Sequence, residues 1–205
     1  MKKGFSLLLI ILLSSCAVRY KTINTDVLSY YKPTTINNDL EVSYLYDVYQ
    51  LTENTRYSNK ERHNNFKTIA VKITNLSDSS ILITKNNFKI LAKDQQVPLA
   101  YLKEYFRYVR QTSGTYLLHA LWSPRYTHTT GSGFESNTTT VYIPIGLAFG
   151  IVNMIIAQIA NKNHYLNLND RVIYGRTVKP HETITGIIVL DYSNYDPLIF
   201  SYKTN

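Results

Sequence analysis

The chain has 205 residues, 44% of them hydrophobic, which is enough for one domain with a packed core. Its formal charge of +8 and its single cysteine exclude an internally disulfide-stapled scaffold and favour contact with anionic lipid headgroups or an anionic polymer. Eighteen tyrosines against one tryptophan suit β-strands and half-wet surfaces, so the composition favours a sheet-rich fold before it favours any ligand.

The first element is a leader. Lys2 and Lys3 precede an uncharged apolar run from Phe5 to Leu13, followed by Ser14, Ser15 and Cys16. A basic start, a short apolar core and small residues before a cut are the parts of a secretory signal. The run is too short to span a bilayer, which takes roughly 20 residues. Leu13-Ser14-Ser15-Cys16 resembles the lipobox of bacterial lipoproteins. The resemblance implies removal of residues 1–15, acylation of Cys16 and attachment to a membrane. Each buried acyl methylene is worth about 0.8 kcal/mol, so two or three chains anchor firmly. Ala17 stands where an aspartate often retains such proteins in the inner membrane, and no acidic cluster follows. The resemblance therefore implies the outer membrane, on its periplasmic side. Export also speaks against a nucleic-acid partner. Residues 16–40 show no period and read as the lipidated start and a tether.

A domain is expected over 41–205. Glu41 to Tyr49 alternates, with Val42, Tyr44, Tyr46 and Val48 on one face, and predicts a strand. Glu53 to Asn65 is polar without an apolar period and reads as a surface loop. Phe66 to Thr74 predicts a second strand, with Ile69, Val71 and Ile73 inward. Asn75 to Ser80 is a turn by composition. Ile81-Leu82-Ile83 and Phe88 to Leu91 are further strands, and Lys93 to Gln96 is a second turn. Short strands at this spacing suggest an antiparallel sandwich. The stretch TIAVKITNLSDSSILITKNNFKILAKDQQ, with KPHETITGIIVLDY near the end, resembles the small immunoglobulin-like domains of many bacterial lipoproteins. His181 stands where those domains usually carry a turn glycine. The resemblance implies an immunoglobulin-like antiparallel β-sandwich, and no activity.

A largely helical insertion is expected at about 98–165. Pro98 to Gln111 has helical spacing, with Leu99, Leu102, Phe106 and Val109 on one stripe. Tyr101, Tyr105 and Tyr108 form the next, and Lys103, Arg107 and Arg110 a third. Tyr116 to Trp122 is a short apolar segment, and residues 125–140 read as a polar loop. Val141 to Ala160 carries no charge and is long enough for a membrane span. Pro144, Asn153 and Gln158 favour instead a helix that starts after Pro144 and docks on protein. Asn161 to Asn169 is read as the return to the sheet, Arg171 to Gly175 as a short strand, and Thr183 to Tyr192 as a central strand apolar on both faces. Leu198, Phe200 and Tyr202 alternate in a last strand.

Catalytic signals are missing from the sequence. His119 and His128 flank the polar loop, but no histidines have zinc-site spacing on a helix. Ser132, in Gly131-Ser132-Gly133, lacks the spacing of a nucleophile elbow. No acidic pair suggests general acid and base roles. The expectation is a non-enzymatic, membrane-anchored envelope lipoprotein without cofactor or metal, acting as a binding or assembly module toward an envelope protein. The alternative is glycan or peptidoglycan binding through Tyr101, Tyr105, Tyr108, Lys103, Arg107 and Arg110. An unrecognised envelope enzyme is a second alternative.

Overall fold

The computed structural model describes residues 16–31, 33–36, 39–121, 125–131 and 137–203. The leader and lipobox up to Ser15, Trp122 and Ser132 lie outside the described residues. In chain order the elements are β1 (Thr34–Ile36), β2 (Leu40–Leu45), α1 (Val48–Leu51), α2 (Thr55–His63), β3 (Lys67–Asn75), β4 (Ile81–Leu82), β5 (Phe88–Ala92), β6 (Gln95–Gln96), α3 (Leu102–Val109), a 3₁₀ segment (Ser113–Leu121), β7 (Arg125–Thr130), β8 (Asn137–Tyr142), α4 (Ile145–Arg171), β9 (Thr177–Val178), β10 (Thr183–Leu190) and β11 (Ile199–Tyr202). The chain divides into two units, Tyr20–Arg110 with Asn163–Asn205 and Gln111–Lys162 with residues up to Arg19.

In the first unit β1-β2-β3-β10 form one antiparallel sheet and β11-β5-β6 another, while β4 pairs with β9. Side chains alternate across a strand, so each strand of the larger sheet supplies two faces. One face sends Val42, Ile69, Val71, Ile73, Ile188 and Leu190 into a core shared with Phe88, Ile90 and Phe200 of the smaller sheet. The opposite face sends Leu45, Ala70, Ile187 and Val189 against Tyr49 of α1, Tyr57 of α2, Tyr105 and Val109 of α3, and Leu168 of α4. The larger sheet is thus buried on both sides. β10 ends the hydrogen-bonded order rather than lying at its centre, but its outer edge is partly taken. Ala100 N donates to Val189 O at 3.0 Å and Ile173 N to Ile187 O at 3.2 Å.

The fold is a mixed one, with helices and antiparallel sheets in comparable shares, rather than mainly β. The stretch read as a loop at 53–65 holds α2, whose buried side is Tyr57, Ser58 and Glu61, so no aliphatic period announces it. The first strand stops at Leu45, where Asp47 takes a left-handed φ of 57° and turns the chain into α1. Lys93 and Asp94, with φ of 50° and 61°, form the two-residue hairpin turn between β5 and β6. His181 has φ of 57°, so it does hold the left-handed turn position where glycine is usual.

Three further stretches differ from expectation. Residues 125–140 are not an open loop, because β7 and β8 pair from Arg125↔Tyr142 to Thr130↔Asn137. Repeated threonines give that hairpin its β propensity without a hydrophobic face, which is why its alternation is silent. The helix starts after Pro144 as expected, but it runs on through 161–169 to Arg171. Residues 16–40 do not hang as a tether either. Ala17 N donates to Asn153 Oδ1 at 2.8 Å, and Val18 exchanges hydrogen bonds with the Gln111 side chain. In the first unit, Ile23 is fully buried and paired through its backbone with the Asn167 amide.

Gly186 on β10 is closely packed. A Cβ there would lie 2.7 Å from Arg171 O and 2.8 Å from Ile173 Cδ1, and a backbone carbonyl cannot swing away. Gly186→Ala is expected to destabilise the protein by about 1–3 kcal/mol. Urea unfolding reads this as a lower midpoint with an unchanged slope, and an unaltered midpoint refutes the packing.

Candidate functional site

α3 carries the surface that the sequence marks. Tyr101 precedes the helix in extended conformation, and Arg110 follows it. Tyr105 and Val109 are buried, with Leu102 and Phe106 half-buried beside them, so the inward stripe runs at positions i, i+3, i+4 and i+7. The helix is therefore rotated from the expected assignment: Tyr105 belongs to the core and not to the tyrosine face. Tyr101 and Tyr108 remain outside. They line an open depression of about 490 Å³ together with Lys103, Glu104 and Arg107. Arg110 is exposed but is not part of that lining. Glu104 lines it without having been singled out; an acid among four basic and aromatic groups gave no periodic signal.

Two contacts orient the aromatic groups. Lys85 Nζ lies 4.5 Å from the Tyr101 ring centroid, and the Tyr108 ring is tilted against Phe66 at 5.9 Å. The depression thus joins two tyrosine rings to two cations and one carboxylate, with Lys85 against one of the rings. Such a surface stacks on the flat face of a sugar ring while the cations meet carboxylates or phosphates. It offers no activated nucleophile.

A second depression, of about 290 Å³, is lined by Ser77, Ser79, Thr84, Asn87 and neighbours. Its polar groups are used in turns. Ser77 Oγ bonds Asn75 Oδ1 at 2.8 Å, and Asn87 takes up Thr84 N and Leu82 O. Among the described residues no cluster of three or more His, Cys, Asp or Glu could hold a metal ion. His128 is exposed on β7, and His119 Nδ1 lies 2.8 Å from Tyr116 O.

The strongest buried chemistry is one that sequence reading missed. His164, fully buried, is enclosed by the rings of Tyr57, Tyr20, Tyr49 and Phe106, with centroids at 4.3, 5.0, 5.5 and 5.6 Å. Its Nε2 lies 2.6 Å from Tyr49 Oη. Tyr49 Oη in turn accepts from Tyr105 Oη at 2.9 Å, and Tyr105 Oη lies 2.8 Å from Thr68 Oγ1 and 3.3 Å from Glu61 Oε1. Burial pushes His164 down to about 3, so the ring is neutral. Burial pushes Glu61 up to about 7, against lowering hydrogen bonds from Thr68 and the Lys67 charge. A protonated Glu61 lets the chain of hydroxyls donate in one direction, toward His164 Nε2. The imidazole proton then sits on Nδ1, which has no partner among the described residues. Every group in this chain is sealed from solvent, so it cannot meet a substrate. A histidine among scattered ones, and a Glu in a polar stretch, left no pattern by which to find it.

Comparison with family models, curated proteins and solved structures gives no match.

The buried carboxyl makes a pH prediction. Its folded value is raised, so its contribution to stability is full below the unfolded value near 4.5 and is lost as pH rises through about 7. Relative to Glu61→Gln, the wild-type protein should lose up to about 3 kcal/mol between pH 4.5 and 8. Thermal melts of both forms across that range measure the difference. Parallel pH profiles sink the assignment.

Proposed function

We propose that this chain is a non-enzymatic envelope lipoprotein, held on the outer membrane through acylated Cys16, and that it works as a binding module. Its ligand surface is the α3 depression, and the ligand class that fits is an anionic glycan such as peptidoglycan. The observation that carries this reading is the convergence of Tyr101, Tyr108, Lys103 and Arg107 around one opening. Two aromatic faces and two cations match a polymer of sugar rings bearing carboxylates. The immunoglobulin-like sandwich belongs to the same proposal, supported by two antiparallel sheets that share one core. Membrane attachment is supported by the leader, whose basic, apolar and small-residue parts end at Cys16.

Two experiments test it. Growth with a labelled fatty acid should mark the wild-type chain, and Cys16→Ser should abolish the label and leave residues 1–15 in place. Normal maturation of that variant rules out the anchor. For the ligand, purified protein should co-sediment with peptidoglycan sacculi, and affinity should fall as salt rises because the cations are exposed. Tyr101→Ala and Arg107→Ala should each weaken binding about tenfold, ~1.4 kcal/mol. Failure of the wild-type protein to bind sacculi at low salt ends the glycan reading.

A further inference from the structure

We infer that the first half of α4 lies in the hydrocarbon of the membrane, in the leaflet that holds Cys16, as a second attachment beside the acyl chains. The helix is packed with its small and polar side inward. Gly146, Gly150, Asn153, Ala157 and Ala160 are buried, at steps of four, three, four and three residues that keep them on one stripe. A Cβ on Gly150 would stand 2.7 Å from Tyr116 O, and Asn153 is occupied by Phe149 O and the Ala17 amide. The large apolar side chains point out: Phe149 is 50% exposed, Val152 55%, Ile155 46% and Ile159 55%. A helix that covers a soluble core does the reverse.

What covers this face follows from where Cys16 is held. Ala17 N is hydrogen-bonded to Asn153, in the middle of the exposed apolar stretch, and Val18 is locked to Gln111. Cys16 is therefore held within one residue of α4, with no slack between them. A bilayer that takes the acyl chains of Cys16 meets this helix at once. Val141 to Ala160 carries no charge, so no ion is desolvated on entry, and the first charged residue on α4 is Lys162. Tyr126 and Tyr142, opposite in the hairpin register to Val141 and Arg125, are 60% and 67% exposed and suit the headgroup boundary. The apolar stretch from Ile145 to Ile159 is roughly 22 Å long. That is short of the ~30 Å core, and one side is already filled by protein, so the helix embeds without crossing. The inference goes beyond the expectation of a helix that docks on its own domain, because the docked side is the small one and the greasy side is left over.

The inference rests on the membrane reading above for the position of Cys16, and the test separates the two. Full-length protein matured in cells is purified and reconstituted in phosphatidylethanolamine–phosphatidylglycerol vesicles that contain a lipid with a photoactivated carbene source on its acyl chain. Adducts are mapped by peptide mass spectrometry, and the acyl mass on the Cys16 peptide is read in the same run. Adducts are expected on the 145–159 peptide in clear excess over α1, where Leu51 is 56% exposed and serves as the aqueous control. Val152→Asp with Ile159→Asp, both on the exposed side, should cut the 145–159 adducts about tenfold while leaving Cys16 acylated. Adducts at 145–159 without an acyl group on Cys16 leave this inference standing and remove the lipid anchor. An acylated Cys16 with 145–159 labelled no more than α1 overturns the inference and leaves the anchor. Protein–protein links through 145–159 in place of lipid adducts overturn it in favour of a second copy.

Discussion

Everything in the first unit depends on the burial of the β3–β10 pair on both faces. Eight residue pairs run from Thr183↔Thr74 to Leu190↔Lys67, and their side chains alternate between two cores. An antiparallel pair usually leaves one face to water. Here Ile69, Val71 and Ile73 face one way while Ala70 faces the other, opposite Ile187. Each face must therefore be covered by something, since exposed apolar surface costs about 25 cal/mol per Å². β5 and β11 cover one side. α1, α2, α3 and the end of α4 cover the other. The position of α3 is thus dictated from beneath, by Tyr105 and Val109, and only what remains of its circumference is free to meet a ligand.

α4 solves the same problem with opposite materials. Its buried stripe is glycine, alanine and asparagine, and its outer surface is isoleucine, valine and phenylalanine. Close approach, rather than hydrophobic volume, holds such a helix to its neighbours, and that is the economy of packing where the surroundings are as apolar as the side chains. Asn153 fits this picture because its amide is satisfied twice within the unit. The Ala17 hydrogen bond ties the residue after Cys16 to the same stripe.

The sequence made the strands legible wherever one face was aliphatic. Ile69, Val71, Ile73, Ile188 and Leu190 alternate, and all five lie in a single core. The helix after Pro144 was equally plain from its apolar length. What stayed hidden was each element whose buried side is polar or absent. α2 buries Tyr57 and Glu61, and β7 and β8 bury nothing, so neither presents a hydrophobic period. The rotation of α3 was missed for a related reason. Tyr105 and Phe106 are neighbours with similar burial demands, and only the hydroxyl partners Tyr49, Thr68 and Glu61 decide that Tyr105 goes inward. The depression kept Tyr101, Tyr108, Lys103 and Arg107 from the expected set and added Glu104. Of that set, Tyr105 moved to the core and Arg110 lay beside the lining.

The chain of Glu61, Tyr105, Tyr49 and His164 shows why the richest chemistry in a protein need not be its function. Each of these groups loses water on burial, and each recovers part of the loss only from the next. Removing any one would strand its neighbour, so the chain selects one arrangement of α1, α2, α3 and α4 over apolar alternatives of similar volume. His164, neutral and ringed by aromatics, has the residue type of a catalyst in a place where no substrate can reach it. The α3 depression has the reverse character. Its groups are exposed, and they are held by a helix whose orientation the buried chain fixes. Polar order in the core thereby sets which side chains α3 presents outward, and the two sides are joined in Tyr105, four residues from Tyr101 and three from Tyr108.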